Sequence, residues 1–143
     1  MEFMRRYTAV VRGTSRPMPV VLKIDSRRKL VYSAFYGKIS DAEFLEHRSA
    51  IRADPDFKPH FNEIVDFTAV TEAAISEAML ATLAANPSLY NKSVLHIVVA
   101  PAEWILQMAG KYKGLARSSR PNFHIVRTRY EAYELLSAAY DRR

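Results

Sequence analysis

The chain has 143 residues, enough for one domain with one core, and its hydrophobic and charged fractions of 49% and 25% are those of an ordinary globular protein. It has no cysteine, which excludes disulfides, thiolate nucleophiles and cysteine-ligated zinc, and fits a reducing cytoplasm. The net charge of +6 is unevenly placed: residues 1–29 and 111–143 are basic, and residues 30–110 carry 10 acidic against 5 basic side chains.

The elements follow in chain order. Residues 1–17 read as a basic arm with Arg5, Arg6, Arg12 and Arg16, either flexible or adding a strand near Tyr7, and residues 18–143 read as the domain. The arm lacks the apolar centre of a signal peptide, and no run approaches the ~20 apolar residues of a membrane span. The cluster at 13–17 (Gly-Thr-Ser-Arg-Pro) breaks the chain before the first clear strand. Residues 20–25 and 30–36 predict a β-hairpin, ended by Gly37. Ser40 and Glu43 form a capping box, opening a helix with Phe44, Leu45, Arg48 and Ile51 at helical spacing, which Asp54-Pro55 stops.

Residues 62–67 predict the next strand, and 71–85 a helix with Ile75, Met79, Leu80 and Leu83 on one stripe, ended by Asn86-Pro87. Residues 93–100 are apolar on both faces, the pattern of a central parallel strand under helices on both sides. Pro101 starts a helix whose stripe is Trp104, Ile105, Met108, Tyr112 and Leu115. After Arg120-Pro121, residues 122–127 predict a short strand. Thr128 and Glu131 cap a last helix carried by Tyr133, Leu136 and Tyr140. The sum is a single-domain α/β fold, β-β-α-β-α-β-α-β-α, with a mixed, mostly parallel five-stranded sheet whose first strand is an antiparallel edge.

Three segments resemble the STAS/SpoIIAA-like family, whose fold is related to the lipid-binding SEC14 domain. Gly37-Lys38-Ile39-Ser40-Asp41-Ala42-Glu43-Phe44 is similar to the family's strand-to-helix entry. Asp54-Pro55-Asp56-Phe57 is similar to its helix exit, and Ile64-Val65-Asp66-Phe67-Thr68-Ala69-Val70 to its central strand. The element order matches, and the likeness covers residues 19–136. It implies a non-enzymatic binding or regulatory module that engages a protein partner or a small or lipidic ligand through the loops after the parallel strands. Family members are switched by phosphorylation within Asp-Ser-Ser-Gly at the start of the following helix. Here Ser76 falls on the phosphoacceptor position, preceded by Ala74 and Ile75 and followed by Glu77 in place of glycine.

The residues themselves suggest a rim. Asp66, Thr68 and Thr71 fall at the carboxyl end of a parallel strand, where ligands settle in open α/β sheets. Loop or helix capping is the alternative for them, and it fits Thr71 better than Asp66, a carboxylate that needs a partner if buried. Lys38, Arg127 and Arg129 would complete an anion-binding edge, or serve as solvated cations. The basic termini leave a nucleic-acid- or anion-binding protein as the alternative. The four histidines lie on different elements without metal-ligand spacing, and His96 reads as a hydrogen-bonded core residue. Asp54 and Asp56 flank a proline turn rather than face each other, and the glycines fit no phosphate loop. No catalytic, metal or cofactor set assembles. A homodimer through a helix face or an edge strand is compatible with the pattern.

Overall fold

The structure, a computed structural model, describes residues 4–10, 17–85 and 88–141, with side chains for 19–85 and 88–141. The breaker residues 13–16 and the Asn86-Pro87 helix stop lie outside the described residues.

Chain order gives β1 (Met4–Val10), β2 (Pro17–Asp25), β3 (Leu30–Ser40), α1 (Asp41–Ala53), β4 (Asn62–Ala74), α2 (Glu77–Ala85), β5 (His96–Val99), α3 (Glu103–Leu115), β6 (Phe123–Val126) and α4 (Arg129–Asp141). The α/β class and the mostly parallel sheet agree with the sequence reading. The sheet has six strands rather than five, because Met4–Val10 pairs antiparallel with β2. Its order is the chain order, β1 to β6. β2–β3 is antiparallel, and β3–β4, β4–β5 and β5–β6 are parallel.

That sequential order decides which face is covered. Three right-handed crossovers stepping the same way along a sheet place their helices on one side. α1, α2 and α3 therefore share a face, while α4 returns from the β6 edge to the other. The cores follow. Phe35, Phe67 and Val98 pack with Ile105 and Ala109 of α3, and Leu22, Ile24 and Val31 pack with Ile51 of α1. On the opposite side Ile64, Ile97 and Val99 pack with Ala132 and Leu136 of α4.

Several expected boundaries and stripes shift. Residues 93–100 hold the fully buried strand β5, but it lies one strand from the β6 edge instead of near the centre. Its burial reports helices on both faces, which does not require a central position. Gly37 does not end β3. It sits at φ +67° beside a register shift, a backbone conformation that suits glycine, and the strand continues to Ser40. β4 likewise runs on to Ala74, paired with that extension, so α2 begins at Glu77 instead of residue 71. Val70 and Thr71 are β-branched and had an available partner strand, which outweighed the helix-forming alanines around them. Leu45, Trp104 and Leu115 are exposed. The inward stripe of α3 is Ile105, Met108, Ala109 and Tyr112, and α1 turns His47 inward beside Phe44 and Ile51. Both capping boxes form: the Ser40 amide donates to Glu43 Oε1 at 2.9 Å, and Thr128 and Glu131 bond reciprocally at 3.1 Å.

Candidate functional site

Alternation along the strands sets the polar contents of the three-helix face. Side chains two apart share a face, so Ser33 and Phe35 on β3, Glu63, Val65 and Phe67 on β4, and His96 and Val98 on β5 all point toward α1–α3. Glu63 stands directly beside His96 in the parallel register. Polar residues at inward positions of apolar strands must find partners, and these do. His96 Nδ1 is 2.9 Å from Glu63 Oε1, and the Tyr90 hydroxyl donates to Glu63 Oε2 at 3.0 Å. Tyr90 comes from the segment after α2 and meets the His96 ring edge-on at 4.9 Å. One step along the face, Ser33 Oγ and His47 Nε2 are 2.6 Å apart.

Glu63, His96, Tyr90 and His47 line a cavity of about 140 Å³ between the sheet and α1, α2 and α3. Phe44, Phe67, Leu80, Met108 and Phe123 give it apolar walls, and Arg48 and Arg120 join Glu63 and the two histidines as its polar groups. Burial raises the Glu63 carboxyl, but bonds from His96 and Tyr90 and the nearby His47 outweigh it and hold the group below the usual carboxylate range. An ionised Glu63 places the shared proton on His96 Nδ1 and fixes that ring's tautomer. Burial pushes His47 down to about 4, so it is neutral at pH 7. Burial and then Glu63 raise the Tyr90 phenol well above its ordinary value, keeping it a donor. The chemistry available is that of a small apolar chamber with one end of oriented hydrogen-bonding and charged groups, as in small-molecule sites generally.

The sequence-predicted rim is only partly brought together, and it lies elsewhere. Asp66, Thr68 and Arg129 meet on the α4 side of the sheet. Asp66 accepts from the Tyr32 hydroxyl at 2.6 Å, the Thr68 amide at 2.8 Å, the Thr68 hydroxyl at 2.5 Å and Arg129 Nε at 2.6 Å. Burial raises this carboxyl too, but those bonds hold it below its ordinary range. Four donors on one carboxylate tie β3, β4 and α4 together. Lys38 and Thr71 lie on the extended β3–β4 ribbon, exposed. Thr71 is a strand residue there rather than a helix cap. Arg127 donates to the Pro101 carbonyl at 2.7 Å and its amide joins the α4 cap. A second hollow of about 250 Å³ adjoins this cluster, lined by Lys23, Arg28, Arg129, Tyr32 and Tyr133. Arg28 is 3.7 Å from Asp25, Arg129 pairs with Asp66, and Lys23 lies over the Tyr32 ring, so its cations are already engaged.

Ser76 precedes α2 as its cap. Its hydroxyl accepts from the Met79 amide at 3.0 Å and donates to Asp41 Oδ2 at 2.9 Å, while its amide donates to Asp41 Oδ1 at 3.0 Å. A phosphate on Ser76 would meet the favourable end of α2 but stand against the Asp41 carboxylate. Ser76→Ala is expected to lose about 1 kcal/mol of stability, read as a lower urea midpoint at constant slope. No change would mean that the cap contributes nothing.

The histidines divide as their neighbours dictate. His47 and His96 are core residues, the His60 ring packs edge-on to Phe61, and His124 is exposed on β6. Among the described residues no group of three histidine or carboxylate side chains is placed to hold a metal ion, and no helix is long and apolar enough to cross a membrane. Sequence reasoning missed Glu63, Tyr90, His47 and Arg120 as one site. The signal present was phase: Glu63 and His96 occupy inward positions of strands whose other inward residues are apolar. No family model, curated protein or solved structure matches this chain.

Proposed function

We propose that this chain is a non-enzymatic binding or regulatory module that takes a small, mostly apolar ligand into the cavity between the sheet and α1–α3. The observation that carries the reading is the cavity itself, with apolar walls and a polar end built around Glu63. Cavities of this volume admit a benzene-sized molecule, and drug-sized ligands occupy roughly 300–1,000 Å³. The size favours a small ring over a two-chain lipid. Glu63 is bonded to His96 and Tyr90, and Ser33 to His47, two fixed polar groups that suit orienting a ligand. The element order from β2 onward is the one that the STAS/SpoIIAA-like resemblance implies, and it supports placing the chain among binding domains of that kind. The ligand enters the interior of the three-helix face in this reading, and the loops at the strand ends hold the fold.

Toluene tests it. At ten times its Kd, toluene should stabilise the protein by about 1.4 kcal/mol, ~4 °C in Tm. Ala109→Leu fills the cavity from α3 and should abolish that shift. Equal shifts in both proteins, or none in the wild type, would contradict the reading.

A further inference from the structure

Arg120 is 7% exposed and lines the cavity. Its backbone is fixed by its amide bonding to the Ala116 carbonyl at 2.8 Å, and its guanidinium lies 5.5 Å from the Tyr112 ring centroid. Nη1 donates to Ser119 Oγ at 2.9 Å. A guanidinium carries five donors in a planar fork, and a buried charge is costly unless it is paired. Among the described residues Arg120 has no carboxylate within ion-pair distance. The single carboxylate on the cavity wall, Glu63, is committed to His96 and Tyr90.

Resting on the cavity being a ligand site, we infer that the ligand is a small aromatic monocarboxylate, its carboxylate paired with Arg120 and its ring against Phe67 and Phe123. A planar carboxylate matches the guanidinium fork with two parallel hydrogen bonds. A single negative charge balances the Arg120 guanidinium, whereas a phosphate dianion would bring more charge out of water than that one cation offsets. The volume leaves room for one ring.

Calorimetric titration of the full chain at pH 7 with benzoate, toluene and benzylamine tests this. Benzoate should bind at least about tenfold more tightly than either of the others. Arg120→Met should erase that preference while changing toluene affinity less than about threefold, since the stem still packs. Arg120→Lys should keep part of it, and supplies the comparison where Arg120→Met does not fold. Benzoate binding no tighter than toluene would overturn the inference and leave the ligand site standing. A benzoate preference untouched by either variant would place the anion elsewhere and also overturn it. Binding of neither compound would overturn the ligand site together with the inference.

Discussion

Glu63→Ala is expected to destabilise the fold by roughly 4 kcal/mol, the largest effect of any single substitution considered for this chain. The Glu63 side chain is 14% exposed and, among the described residues, is the bonding partner of both His96 Nδ1 and the Tyr90 hydroxyl. Removing it leaves two buried donors without an acceptor and opens space beside the cavity. Each charge-assisted hydrogen bond to the carboxylate contributes about 1.5–3 kcal/mol, and an orphaned donor costs more than a pair that was never made. Glu63→Gln keeps an acceptor and most of the volume, and should cost roughly half as much. Urea denaturation followed by circular dichroism checks both. A loss below about 1 kcal/mol for Glu63→Ala would mean that water replaces the carboxylate at both donors.

Acid should unfold the protein from a pH above the carboxylate range. His47 has a folded pKa of about 4 against an ordinary value near 6.5, with burial as the principal cause. Between those values the unfolded chain binds a proton at this ring and the folded chain does not. Stability therefore falls as pH drops from 6.5 toward 4, by roughly 3 kcal/mol in all, and this group adds no further loss below the folded value. Glu63 and Asp66 act in the same direction but later. Their folded pKa values are depressed, so their contribution is intact above about 4.5 and is lost as pH falls through the folded values. Exposed His124 is shifted down by partial burial and Lys113 and adds a small term of the same sign. His47→Gln removes this titration, and its stability profile should slope much less from pH 6.5 to 5 than the wild type's, keeping only the small His124 contribution. Parallel profiles would show that His47 is protonated in the folded protein.

Much of the fold was legible because its local signals agree. Both capping boxes, the 26–29 turn and the apolar run ending in Ala100 each demand one structure, and each formed. The misreadings share a physical cause. Residues 71–74 carry alanines that suit a helix, yet an extended neighbour, continued past Gly37 by a bulge, supplied the ladder that kept them in the sheet. Trp104 and Leu115 have helical spacing with the α3 stripe, but spacing does not say how wide a stripe the sheet can cover, and both ended outside.

The candidate site was legible only in pieces. His96 read correctly as a bonded core histidine, and Asp66 as a carboxylate in need of partners, which Tyr32, Thr68 and Arg129 provide. The cavity joins residues from α1, β4, the segment before β5, β5 itself and the segment after α3. Such convergence depends on strand order, which periodicity does not encode. Arg120 read as the break before Pro121, because a buried guanidinium and an exposed one have the same sequence signature.

The central claim is that a small ring occupies the space between the sheet and α1–α3. Isotope-filtered NOE spectroscopy on the labelled protein with saturating toluene tests it most directly. Contacts from the toluene protons to Phe67, Leu80 and Met108 are the predicted result. Contacts confined to Tyr32 and Tyr133 on the opposite face, or no intermolecular contacts at all, would contradict it.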